Sequence, residues 1–209
     1  MLGLPRATEV NRRVTKEKLY QNATLTPQAR DMIKDQVEAV VWRNKLAEST
    51  VGVRAGEEVK EIQVFEIALR QRGLDKRVLP VISKAIPYKI LFVLTFGDEA
   101  QARIEAAGTF YHTEWLSLDG LTIRFEGLNL DTMYESLVRQ IAGVRLGAGG
   151  DIAAAVHRDK LRQRLEREIT ALEKKILREK QFNRQIEMGG KLKRLRAELE
   201  QLTTSHNKE

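Results

Sequence analysis

The 209-residue sequence contains no cysteine, which excludes disulfide bridges, thiolate zinc sites and cysteine nucleophiles and accords with a reducing compartment. It lacks any apolar run near the roughly 20 residues needed to cross a bilayer. The longest run, Ile90-Leu91-Phe92-Val93-Leu94, has the length of a buried strand. The opening Met1-Leu2-Gly3-Leu4-Pro5-Arg6 has neither the charged lead nor the apolar centre of a secretory signal, so the expected location is cytoplasmic, with no membrane contact. Histidine is scarce: His112, His157 and His206 stand far apart and share no ligand spacing such as i, i+4. No Gly-x-Ser-x-Gly, Walker or Rossmann pattern occurs. No metal and no cofactor is therefore expected.

What the chain does have is charge, unevenly placed. The formal net charge is +7. Arg158 to Glu209 holds 15 basic and 9 acidic side chains, a net of +6, and residues 1–157 hold 21 and 20, a net of +1. The body of the chain is nearly neutral and the tail supplies the basicity.

Local patterns predict an α+β domain over residues 1–142. Thr26-Pro27 opens a helix whose face runs through Ile33, Val37, Val40, Val41 and Asn44 to Leu46, because Thr accepts from free first-turn amides and Pro27 loses nothing there. Strands are expected at Thr50–Val53, Ile62–Leu69, Lys89–Phe96, Gln101–Ala107, Tyr111–Leu116 and Leu121–Phe125, the last two joined at Asp119-Gly120. Helices are expected at Val78–Ile86 and after Asn129, where Leu130, Tyr134, Leu137 and Ile141 recur at helical spacing. Short turns between neighbouring strands imply a mixed or mainly antiparallel sheet with packing helices. The apolar phase of Ile62–Leu69 shifts midway, which either a bulge or burial on both faces explains.

Gly143, Gly147, Gly149 and Gly150 mark a linker over 143–156. Residues 157–205 read as a basic coiled-coil helix or a helical hairpin. With Ile169, Ile176 and Asn183 at a, positions d hold Leu165, Leu172 and Ile186; Arg162 at a and Glu179 at d are flaws. In a parallel homodimer Glu168 meets Glu173 and Lys175 meets Lys180, so the pairing expected is antiparallel or with another protein. The Gly189-Gly190 pair interrupts the repeat, and Leu192, Leu195, Leu199 and Leu202 begin a new stripe, so a kink or reversal is expected at the glycines. Lys174, Lys175, Arg178, Lys180, Arg184, Lys191, Lys193, Arg194 and Arg196 form a dense basic stripe suited to phosphate contacts that read no sequence.

Two weaker patterns remain. Glu58-Val59-Lys60 matches the Glu-x-Lys triplet of magnesium nucleases of the restriction type, with Asp35 or Glu38 as the upstream acid. Tyr111-His112-Thr113-Glu114-Trp115 is either a binding strand, a base-stacking platform or ordinary in-and-out alternation.

Several stretches together resemble the bacterial domain-of-unknown-function family 4391. They are Met1-Leu2-Gly3-Leu4-Pro5 with Thr8-Glu9-Val10-Asn11, Glu61–Glu66, Ile86–Leu94, Gly127–Asp131 and Glu179–Gln185. The resemblance implies an accessory role beside helicases and DNA methyltransferases in phage-defence and restriction-like systems. It supplies no activity and no catalytic residue. The expectation is a non-catalytic subunit that docks on such a partner and binds DNA non-specifically, with a metal-dependent nuclease using Glu58 and Lys60, or a protein-binding scaffold, as alternatives.

Overall fold

The computed structural model describes residues 2–22, 26–147 and 149–206, without the side chains of Asn22 and residues 204–206. Met1, Ala148 within the expected linker, and the His206 side chain lie outside the described residues. The chain divides into two compact units, Met1–Gly143 and Val144–Glu209.

The first unit is α+β. Its strands are β1 (Glu9–Val14), β2 (Val37–Leu46), β3 (Ile62–Leu69), β4 (Lys89–Phe96), β5 (Glu99–Ala106), β6 (Thr109–His112) and β7 (Leu116–Ser117). They form one sheet in the order β1-β2-β3-β4-β5-β6, with β7 beside β5. Only β3 and β4 are parallel, and the chain between them carries a helix, α4 (Val78–Lys84). The other helices of this unit are α1 (Lys16–Asn22), α2 (Pro27–Gln36), α3 (Glu48–Val51) and α5 (Leu130–Ala142).

Both faces of the centre of the sheet are buried. Phe65, Ile67 and Leu69 of β3 and Ile90, Phe92 and Leu94 of β4 pack with Leu19, Ile33, Val78, Leu79 and Ile82 from α1, α2 and α4. The opposite parity, Val64, Leu91, Val93 and Ile104, is buried too, and α5 contacts β5 and β6. This explains the shifted apolar phase of β3, whose register against β4 runs unbroken from Ile62 to Ala68.

The main departure from expectation lies at residues 37–46, read as helix and found as β2. The helix stops at Gln36, where the Lys16 ammonium donates to the Val37 carbonyl and Val37 turns extended at φ −100°, ψ 125°. Beyond it the β-branched Val37, Val40 and Val41 and Trp42 pair with β3 on one side and β1 on the other. Two partner strands outweigh a helical spacing that the same side chains satisfy by chance. β1 itself, a polar edge strand, was unforeseen, and bends at Asn11, which adopts φ +46°.

Two shorter strands are also replaced. Thr50–Val53 was expected to be extended, but Glu48–Val51 is a helical turn held by Thr50, whose hydroxyl accepts from Ala47 N–H (2.9 Å) and donates to the Lys45 carbonyl (2.8 Å). Leu121–Phe125 forms no strand. The Gln140 side-chain amide there takes the place of a neighbouring strand, bonding Arg124 N–H (2.9 Å) and C=O (2.8 Å). Asp119-Gly120 accordingly closes no hairpin. Asn129 caps α5 as expected, accepting from Thr132 N–H at 2.9 Å.

Candidate nucleic-acid interface

The second unit contains α6 (Ile152–Arg178) and α7 (Phe182–His206), which pack on each other as a hairpin. α6 begins inside the segment read as linker. The Asp151 carboxylate accepts from Ala153 and Ala154 N–H (3.3 and 2.9 Å), and three successive alanines favour the helix. Leu165, Ile169 and Leu172 are buried and Ile176 half-buried, while Leu192, Leu195, Leu199 and Leu202 of α7 are half-buried. The stripe on α6 therefore finds a partner within its own chain.

The seven-residue repeat expected from Leu165 through Ile186 is not one rod. The chain leaves the helix at Glu179, at φ −74°, ψ 132°, and re-enters it at Phe182. A carboxylate at a d position cannot be buried without a partner; here it turns outward and accepts from Lys180 and Gln181 N–H, both at 2.9 Å, while Gln185 Nε2 donates to the Glu179 carbonyl. Asn183 and Ile186 lie past this break and are exposed, so they do not extend the stripe. Gly189 and Gly190, where a kink or reversal was expected, sit inside α7. Their cost of about 1 kcal/mol each is spread over a 25-residue helix whose leucines pack on α6.

The break sorts the charge. Residues 174–194, on either side of it, hold eight basic and two acidic side chains, a net of +6. The rest of the two helices, 152–173 and 195–206, holds six of each. Lys174, Lys175, Arg178, Lys180, Arg184, Lys191, Lys193 and Arg194 are all exposed, with no ion pair among the described residues. The ninth cation of the stripe, Arg196, pairs with Glu173 at 2.7 Å. Farther from the break, cations are neutralised locally, Arg162 by Glu166 (3.2 Å) and Arg164 by Glu168 (2.8 Å).

Asp159 is the one buried charge of the hairpin noted among the described residues. Its side chain is wholly enclosed and accepts from Arg145 (3.1 Å), Arg162 (2.7 Å) and Gln163 (2.7 Å). Sequence gave no signal for it, since Asp at a helix interior usually marks solvent. Asp159→Ala is expected to lower the stability of the hairpin by about 2 kcal/mol, because Arg145, Arg162 and Gln163 each lose a buried carboxylate acceptor, although Arg162 keeps Glu166 and both guanidiniums retain some access to water. Thermal melts followed by circular dichroism measure this, and an unchanged midpoint contradicts it.

In the first unit, the sequence-derived nuclease constellation is not assembled. Glu58 and Lys60 precede the start of β3, whereas Asp35 and Glu38 lie beside Val37, which pairs with Leu69 at its far end. Eight strand residues separate them, about 25 Å. The Lys60 ammonium donates to the Gly56 carbonyl at 2.8 Å. The N–H groups of Glu57, Glu58 and Val59 donate to the Asp131 carboxylate at 2.7, 3.2 and 2.7 Å. Glu58 and Lys60 do line a cleft of about 320 Å³ with Glu61, Tyr88, Lys89 and Glu105. Glu61 there pairs with Lys45 (2.6 Å) and accepts from Gln63, whose own buried Oε1 has no partner among the described residues. Among the described residues no three acidic or histidine side chains are grouped to hold a metal ion.

The aromatic patch is not one strand: β6 ends at His112, residues 113–115 are irregular, and β7 starts at Leu116. Tyr111 is fully buried, Thr113 and Trp115 are half-buried, and His112 and Glu114 are exposed. Trp115 lies under the Arg72 guanidinium, 5.5 Å from the ring centre. His157 is exposed on α6. No described helix is long and apolar enough to cross a membrane.

Comparison with protein families matches residues 2–199 to the domain of unknown function DUF4391. The chain belongs to this family. No curated protein and no solved structure matches it.

The stretches that carry the DUF4391 resemblance are points of construction in the fold. Glu61–Glu66 opens the central strand, and Ile86–Leu94 leads from α4 into its parallel neighbour. In Gly127–Asp131, a Cβ on Gly127 would lie 2.4 Å from the Met133 nitrogen, so only glycine permits the approach to α5. Glu179–Gln185 is the reversal between α6 and α7.

Proposed function

We propose that this protein is a non-catalytic accessory subunit of a bacterial DNA-defence assembly, and that its hairpin grips DNA without reading sequence. The observation that carries the reading is the cluster of eight exposed cations, without ion pairs among the described residues, at one end of the hairpin, while the other end is electrically balanced. A field of this kind attracts a polyanion and releases its counterions. Long flexible ammonium and guanidinium groups on a helix surface suit phosphate oxygens and leave base edges unread. The larger partner, a helicase or methyltransferase, and the cytoplasmic setting follow from the family resemblance and the cysteine-free composition.

The test replaces all eight cations with glutamine, which keeps exposed helical positions favourable to the helix. Fluorescence anisotropy with labelled duplex DNA at low salt should show binding by the parent chain and none by the variant, with circular dichroism unchanged. Equal binding by both removes the reading. DNA cleavage that requires Mg²⁺ and is abolished by Glu58→Ala would make the chain an enzyme instead.

A further inference from the structure

The end of the hairpin carries apolar side chains as well as charge. Leu177 is 85% exposed, Phe182 72% and Ile186 58%, among the most exposed large hydrophobic residues of the chain. Their exposure follows from the way the helices are offset. Arg196 pairs with Glu173. Arg196 lies 14 residues into α7 and Glu173 lies 5 residues before the end of α6. At 1.5 Å per residue those are about 21 and 8 Å from the break, so α7 overshoots α6 by about 13 Å. The chain crosses between the helices through residues 179–181, leaving α6 at Glu179 with φ −74° and ψ 132°. The first two turns of α7 therefore project alone, with the Glu179 carbonyl bonded to Gln185 along one side. No atom lies within 4 Å of a Cβ built on Gly189 or Gly190, so the surface after Ile186 is open.

We propose that this projecting tip engages unpaired or unstacked bases, with Phe182 as the stacking ring, Ile186 one turn along the same face of α7, and Arg178, Lys180 and Arg184 on the flanking phosphates. This rests on the DNA-binding reading and narrows its substrate to nucleic acid with a single-stranded segment. Three observations select that occupant. The rim is cationic: Arg178, Lys180 and Arg184 are exposed and have no ion pair among the described residues, whereas the Glu179 carboxylate is engaged with backbone N–H groups. A second copy would bring two regions of net +6 together. Phe182 and Ile186 offer an apolar surface far below the roughly 1,000 Å² that a stable protein interface needs, yet one aromatic ring suffices to stack on a base.

The experiment measures the affinity of the full chain for an intact duplex and for the same duplex with a short single-stranded gap. The parent should prefer the gapped DNA. Phe182→Ala should weaken gapped binding by about 5- to 100-fold and leave intact-duplex binding within about twofold, and Phe182→Trp should restore the preference. Phe182 is mostly exposed, so neither change threatens the fold. Duplex binding with no gap preference, or Phe182→Ala affecting both DNAs equally, overturns the stacking proposal and leaves the phosphate grip intact. A change in oligomeric state with Phe182→Ala and both affinities unchanged overturns it in favour of a contact between copies. No binding to either DNA refutes the phosphate grip, and the stacking proposal falls with it.

Discussion

Raising monovalent salt from roughly 50 to 200 mM should weaken binding of this protein to duplex DNA by on the order of 10³- to 10⁴-fold. The expectation comes from counting. Eight exposed cations, without acidic partners among the described residues, cluster near the break between the helices. If six to eight of them meet phosphates, log K falls against log salt with a slope of about −5 to −7. Cations already held by carboxylates, such as Arg162, Arg164 and Arg196, contribute little, since they would exchange one anion for another. Removing charges in pairs, Lys174 with Lys175 and Lys193 with Arg194, should flatten the slope by about 2 per pair. A slope shallower than about −2 in the parent chain would mean that the cluster does not lie along a phosphate backbone.

The second large effect is on folding. Gly56→Ala is expected to destabilise the first unit by about 3 kcal/mol. A Cβ at this position would sit 2.1 Å from Oδ1 of Asp131, inside the carboxylate that the loop enfolds. The Gly56 N–H closes the turn onto the Val59 carbonyl at 3.0 Å, and the next three N–H groups converge on Asp131 from the first turn of α5. Arg54 strengthens the same junction, accepting from Leu130 N–H at 3.0 Å. A methyl group forces the carboxylate out and strands three donors at once. The reduced freedom of alanine in the unfolded chain offsets less than about 1 kcal/mol of this. Asp131→Ala, which removes the acceptor without a clash, should cost about 2 kcal/mol. Denaturant melts that rank Gly56→Ala below Asp131→Ala support the account; a neutral Gly56→Ala contradicts it. This seat also assigns the backbone of the Glu58-Val59-Lys60 turn a structural task, one no sequence pattern announces because its acid lies more than seventy residues downstream.

Sequence reading succeeded where a residue's chemistry acts on its neighbours. β3 and β4 were legible to the residue, because burial on both faces leaves runs that no exposed segment tolerates. The starts of α2 and α5 were legible from Thr26-Pro27 and Asn129, since a cap is a bond within four residues. It failed wherever distant partners decided. Val37–Leu46 carries a helical spacing, but β1 and β3 supply the ladder bonds that make it a strand. Leu121–Phe125 looks like a strand, yet Gln140 occupies its hydrogen-bonding edge.

The basic segment shows the same division. Its charge, its leucine stripes and the misfit of Glu179 in the repeat are properties of the sequence. Where the chain reverses, and therefore which cations gather at one end with Phe182 and Ile186 uncovered, was decided by tertiary structure. A seven-residue repeat states that a stripe needs a partner; it does not say whether that partner is another chain or the next helix. Within this chain α7 covers the α6 stripe, a pairing that only tertiary structure reveals, because the energy of a buried leucine depends on what covers it and not on its place in the sequence.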